Sequence, residues 1–199
     1  SSDKRIVISI YGGSGSGKTT IAAALQQYFL KDNTACYVLT GDNYPHRIPM
    51  RNDEERLNVY NESGEDGLRG YLGTPEEIDF DRINKELSEF KAGKDIIEIK
   101  HMGREDGDIS YDETDFTGIK VLILEWTHGG SEYLKGVDIP VFLESSPEET
   151  KARRIKRGRD ENAASPFICR VVELEQEKLD LQSKNARIVV GKDGKVYEQ

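Results

Sequence analysis

Short apolar runs alternate with longer amphipathic stretches along this 199-residue chain. Residues 5–11, "RIVISIY", are rich in β-branched side chains and predict a strand that runs straight into a glycine-rich loop. An alanine-rich helical pattern follows near residues 18–30, and "CYVLT" at 36–40 reads as a second strand. Over residues 74–91, Phe80, Ile83, Leu87 and Phe90 recur at spacings of 3, 4 and 3, so one helical face is buried. Thr74, Pro75 and Glu77 predict its N-cap, first-turn proline and capping box. Further strands are predicted at 95–100, 120–125 and 139–144. The middle one is apolar without alternation, as expected of a strand covered on both faces. Ser146, Pro147 and Glu149 open a third helix that stops near Gly158, a fourth spans 166–182, and "ARIVV" predicts a last strand whose chain turns back at Asp193-Gly194.

Strand and helix in alternation imply an α/β fold with a mainly parallel sheet and right-handed crossovers, so a ligand belongs at the carboxyl ends of the strands. Residues 45–73 break the pattern. They read as a long connection with a short helical stretch near 53–60 and glycines at 64, 67, 70 and 73, and connections of this length are usually lids or binding loops. Residues 1–199 are expected to form a single domain, with 45–73 as a lid or substrate-binding insertion.

Composition narrows the partners. A net charge of −9 disfavours nucleic acid and anionic membranes, and any phosphate site must be built locally. No apolar run approaches the roughly 18 residues that would span a bilayer. With Cys36 and Cys169 as its only cysteines, the chain suits a reducing, cytoplasmic setting. Homo-oligomers are compatible with this composition.

The junction after the first strand carries the chemistry. Gly12, Gly13, Ser14, Gly15, Ser16, Gly17, Lys18 and Thr19 satisfy G-x-x-x-x-G-K-[ST] between a predicted strand and a predicted helix. Such a loop turns its backbone N–H groups onto phosphate oxygens, Lys18 reaches the β and γ phosphates, Thr19 ligates Mg²⁺, and Thr20 continues the first turn. The expected ligand is ATP with Mg²⁺, in a P-loop NTPase fold of the nucleoside/nucleotide-kinase type, a three-layer sandwich with a lid region. A GTP switch is disfavoured, because "DFTG" at 115–118 precedes the buried strand and "NKEL" at Asn84 is not a guanine reader. Asp42 directly follows the second strand, where a carboxylate can take a proton from an attacking hydroxyl; a plain turn residue is the other reading. Glu125 ends the buried strand and is a candidate Mg²⁺ partner, or a surface glutamate. Arg153 and Arg157 share a helical face, with Arg154 and Arg159 nearby, in an arginine-rich lid at 150–165 that could clamp the transferred phosphoryl group or simply pair with neighbouring acids.

"GGSGSGKTT", Asp42 with Tyr44, "DFDRINKEL", "KHMGRE", "VLILE", "SSPEETKARRIKR" and "NARIVV" occur in the order that resembles the phosphoribulokinase/uridine kinase family of P-loop kinases. The resemblance implies transfer of the γ phosphate of ATP to the hydroxyl of a small molecule such as a nucleoside, a sugar phosphate or a related alcohol. It carries the base role to Asp42 and nominates Tyr44, His101 and Arg104 as substrate contacts, with Arg47 reaching in from the lid. Two positions depart from the pattern. Gly73 stands where the nucleoside kinases carry an acidic residue, and Trp126 where a glycine is usual. "GDN" is also similar to the adenylylsulfate kinase motif, and a non-catalytic nucleotide-binding regulatory domain is the remaining alternative. His128, just past Glu125, reads either as site-facing or as a structural loop histidine.

Overall fold

The structure of the chain, a computed structural model, describes residues 4–146, 148 and 165–199. Its elements run β1 (Ile6–Tyr11), α1 (Lys18–Lys31), β2 (Cys36–Thr40), α2 (Pro49–Tyr71), α3 (Phe80–Lys91), β3 (Ile96–Met102), β4 (Ile109–Asp115), β5 (Val121–Glu125), β6 (Ile139–Leu143), α4 (Pro166–Gln182), β7 (Ile188–Val190) and β8 (Val196–Glu198). A six-stranded sheet has the order β2-β5-β1-β6-β7-β8. All of its pairings are parallel except β7 with β8, which turns back as expected.

Side-chain alternation along the central strands explains the layers. Ile8 and Ile10 of β1 and Val121 and Ile123 of β5 face α1 and pack on Ala22. Val7, Leu122 and Leu124 point the other way, onto Ile83, Leu87 and Phe90 of α3. Tyr11 and Phe142, on that second side, pack on Leu179 of α4. Residues 121–124 of β5 are thus buried on one face or the other, which is why "VLIL" needs no polar alternation.

Three expectations are corrected. The run at 95–100 forms β3, but it leaves the main sheet and pairs antiparallel with β4, a strand of mostly exposed polar residues that no apolar pattern announces. Residues 45–73 are largely helical rather than a loop: α2 runs through them, with a non-helical break at Gly64, because tertiary packing supplies what the glycines lack. Leu68 and Leu72 bury against Val171 and Leu174 of α4, and Arg69–Glu177 and Arg170–Glu65 ion pairs tie the two helices together. The third correction is the start of α3. Asp79 caps it by accepting from Arg82 N, and Thr74 instead begins a preceding turn. The helix expected after Ser146, with the arginine-rich lid and its Arg153 and Arg157, lies outside the described residues apart from Glu148.

Candidate active site

β1, β5 and β2 end side by side. In register, Ile10 stands opposite Glu125, and Glu125 stands opposite Thr40. With strands about 4.8 Å apart, the loop after β1, Glu125 and the turn after Thr40 open onto one edge of the sheet.

The loop from Gly12 to Gly17 leads into α1 at Lys18. Gly17 caps the helix with φ 102, no side-chain cap bond is made, and the first turn carries no acidic residue. Such a start leaves backbone N–H groups and positive helix potential directed at an anion. Gly12 is fixed by close approach, since a Cβ there would lie 2.6 Å from Leu143 O. Ser16 Oγ is buried without a hydrogen-bond partner, and Lys18 Nζ bonds Gly12 O at 3.1 Å and Gly13 O at 2.9 Å. An orphaned hydroxyl, uncapped N–H groups and a nearly buried ammonium form a donor set that fits the phosphates of a nucleotide. Thr19 Oγ1 donates to Glu125 Oε1 at 3.0 Å, so the hydroxyl and the carboxylate are already adjacent. One hydroxyl and one carboxylate fit Mg²⁺ that also keeps phosphate and water ligands, not a site built wholly from protein; among the described residues no group of three or more His, Cys, Asp or Glu could hold a metal. Ser14 and Gly15 complete the loop, and Thr20 is exposed on the first turn of α1.

Asp42 lies in a short 3₁₀ turn, Gly41–Asn43, and is exposed; its N–H donates to Thr40 Oγ1. Gly41 is required by Trp126, whose Cγ would sit 1.8 Å from a Cβ at that position. The turn is held from below. Tyr44 O accepts from Asp79 N at 2.8 Å, Lys100 Nζ donates to Pro45 O at 3.0 Å, and Asn43 Oδ1 accepts from Met102 N at 3.3 Å. Tyr44 itself is corrected from substrate contact to anchor. It is 0% exposed, its hydroxyl donates to the buried carboxylate of Glu86, and burial with that negative neighbour pushes its pKa well up. Glu86 also accepts from Arg82 Nε at 2.6 Å and Lys100 N at 3.0 Å, while burial raises its pKa above the ordinary range.

Other nominated residues fall around this edge. Arg47 donates to Tyr71 Oη at 3.4 Å and pairs with Glu55 at 3.5 Å. His101, on β3 one residue before Met102, lies 3.9 Å from Asp112, and Arg104 is exposed at the hairpin tip. Neither makes a described contact with Asp42.

A buried polar cluster escapes the sequence pattern. Glu77, 1% exposed, accepts from Gly73 N at 2.6 Å, Asn52 Nδ2 at 2.9 Å and Arg56 Nε at 2.6 Å, and Arg56 reaches Glu175 at 3.0 Å. Burial opposes the charge of Glu77, but Arg56 and these donors hold its pKa below the ordinary range. His128 adjoins the cluster, with burial as the largest effect driving its pKa below 6.5, against the pull of Glu175, Glu77 and Asp42. In the sequence Glu77 looks like a capping-box acid; the only hint of another role is the missing acid at Gly73.

The profile described as Phosphoribulokinase / Uridine kinase family matches residues 7–190. A bifunctional alpha-galactosidase/sucrose kinase of Mediterraneibacter gnavus is 75% identical over 197 residues, 99% of this chain and 21% of that protein. Uridine-cytidine kinase A of Dictyostelium discoideum is 28% identical over 155 residues, 76% of this chain and 28% of that protein. The chain therefore spans between about a fifth and just over a quarter of the length of these relatives. Phosphoribulokinase from Rhodobacter spheroides has a similar fold, with a TM-score of 0.69 at 14% identity over 96% of this chain and 71% of that one.

Proposed function

The chain belongs to the phosphoribulokinase/uridine kinase family, and from that premise we propose that it is an ATP-dependent phosphotransferase whose acceptor is a sugar hydroxyl. Sucrose is the first candidate, being named for the relative that is 75% identical. The observation that supports the phosphotransfer reading is the register Thr40–Glu125–Ile10, because it gives the glycine-rich loop, the Glu125 carboxylate and Asp42 a common edge.

In this reading the loop amides from Gly12 to Gly17, with Lys18, bind the triphosphate and orient its terminal group. Thr19 and Glu125 would hold Mg²⁺, which supplies charge neutralisation at the phosphate oxygens. The acceptor oxygen forms a bond to the γ phosphorus as the bond to the bridging oxygen breaks; ADP leaves, and the hydroxyl proton passes to Asp42. Trp126, buried beneath Gly41, gives the Asp42 turn an apolar floor that limits water beside the reacting centre. Arg153 and Arg157 are assigned to the phosphoryl clamp, and His101 and Arg104 to the outer wall of the acceptor site. Small molecules in a reducing cytoplasm are the proposed setting, with neither nucleic acid nor membrane as partner.

The test is ADP release by the purified chain against sucrose, its component monosaccharides, uridine and cytidine. Sucrose is expected to support turnover, and Asp42→Asn to lower kcat by about 10²–10⁴-fold, the usual span for a lost general base, with ATP affinity retained. Turnover confined to the nucleosides would replace the sugar by a nucleoside as acceptor. An Asp42→Asn variant with full activity would remove the base assignment.

A further inference from the structure

Building on the sugar-kinase reading, we propose that His128 positions the acceptor, and that the group it positions is a hydroxyl of an uncharged polyol rather than of a phosphorylated one. The starting point is Gly73, whose φ is 68. A Cβ there would approach Cε1 and Nδ1 of His128 to 3.0 Å, so the imidazole fills the space that a side chain at residue 73 would claim. A side chain at residue 73 would push this ring aside by at least a few tenths of an ångström.

The ring is held in place. It meets Trp126 edge-on, with centroids 5.4 Å apart and an interplanar angle of 84°. Trp126 is itself fixed, 2% exposed and pressed on Gly41, the residue before Asp42. The imidazole therefore lies against Gly73 on one side and against Trp126 on the other, and Trp126 in turn packs on the residue before the proposed base.

Its neighbours are spent on one another. Glu77 takes hydrogen bonds from Gly73, Asn52 and Arg56, and Arg56 continues to Glu175. Among the described residues no hydrogen bond reaches either ring nitrogen of the half-buried His128, and Asn52 Oδ1 is buried without a partner. Burial keeps the imidazole uncharged at neutral pH. An uncharged imidazole offers one N–H donor and one lone-pair acceptor, which matches a hydroxyl or a vicinal pair of hydroxyls. A phosphate placed beside this ring would instead add negative charge where Glu175, Glu77 and Asp42 already act on it, with Arg56 paired to the first two.

The experiment measures kcat and KM for sucrose and for ATP with the purified chain and its His128→Ala, His128→Asn and Gly73→Asn variants, alongside fructose 6-phosphate as a charged acceptor. His128→Ala is expected to raise KM for sucrose about tenfold, the upper end for one lost neutral hydrogen bond, and to leave KM for ATP unchanged. His128→Asn, which keeps a donor and an acceptor, should recover part of the loss. Gly73→Asn, tolerable in the left-handed region, should raise KM for sucrose by displacing the ring. Equal rises in both KM values would mark a purely structural role and overturn the proposal, as would an unchanged sucrose KM in His128→Ala. Preference for fructose 6-phosphate would overturn the uncharged-acceptor part. Wild-type turnover of uridine but of no sugar would overturn the underlying reading and this inference together, whereas sugar turnover indifferent to residue 128 would overturn this inference alone.

Discussion

Trp126 can occupy its place only because residue 41 has no side chain. The indole lies where a Cβ would be, 1.8 Å from Cγ, and the next residue is Asp42. Gly41→Ala is therefore expected to destabilise the fold by about 1–3 kcal/mol, the cost of overpacking a filled site, and to lower kcat by shifting the Asp42 turn. Urea unfolding and steady-state turnover on the same preparation check both; a variant with wild-type midpoint and wild-type kcat would show that the indole simply moves aside. In the sequence, "GDN" reads as a turn and Trp126 as a departure from a family pattern, and nothing in either stretch says that one accommodates the other. The same holds for Gly73 and His128. The phosphate loop and Asp42 were legible because local chemistry defines them, whereas these pairs are made by tertiary contact between distant segments.

At the scale of elements, the central strands could be read from unbroken apolar runs, α1 and α4 from helical patterning, and the buried face of α3 from its apolar period, though not the residue at which α3 begins. The failures have a shared cause. β4 carries its polar residues in the open and is held by backbone pairing to β3, so no hydrophobic alternation marks it. α2 contains Gly64, Gly67 and Gly70, which lower helix propensity, and its stability comes from packing Leu68 and Leu72 on α4. The glycines of α2 are not equivalent, and this yields a paired prediction. Gly64 adopts φ 66 and ψ −163, a region essentially reserved for glycine, so Gly64→Ala should cost about 1–3 kcal/mol. Gly70 lies within the helix and a Cβ there would meet nothing within 4 Å, so Gly70→Ala should add about 0.4–1 kcal/mol by narrowing the unfolded ensemble. Opposite shifts in the urea midpoint are expected. Shifts of the same sign would mean that α2 straightens through residue 64 at little cost.

For the molecule as a whole, the buried ionisable groups set how stability follows pH. His128 is held below 6.5 in the folded chain, so between that value and its folded pKa the unfolded chain binds more protons, and stability falls as pH falls. Its contribution is complete above pH 6.5. Glu77 acts with the same sign but only as pH drops below 4.5, since its folded pKa is lowered. Glu86 acts in the opposite sense. Burial raises its pKa, so it takes up a proton in the native state first, and acidification toward 4.5 adds stability. A wild-type curve mixes these effects; Glu86 cancels to first order in the difference from a His128→Asn curve, and Glu77, which is pulled down in part by His128, does not act above pH 4.5, so the comparison is made above that value. The groups acting on His128 come from every side: Asp42 after β2, Arg56 on α2, Glu77 before α3 and Glu175 on α4. Their charges stay in place in the variant, so the subtraction isolates the imidazole. Urea-derived stabilities of the two proteins should run parallel above pH 6.5 and diverge below it, the wild type losing stability faster as its imidazole resists protonation in the fold. Curves that stay parallel down to pH 5 would mean that the ring against Gly73 takes up a proton as readily as in the unfolded chain, and the uncharged donor–acceptor pair offered to the sugar would then be lost as pH falls below about 6.5.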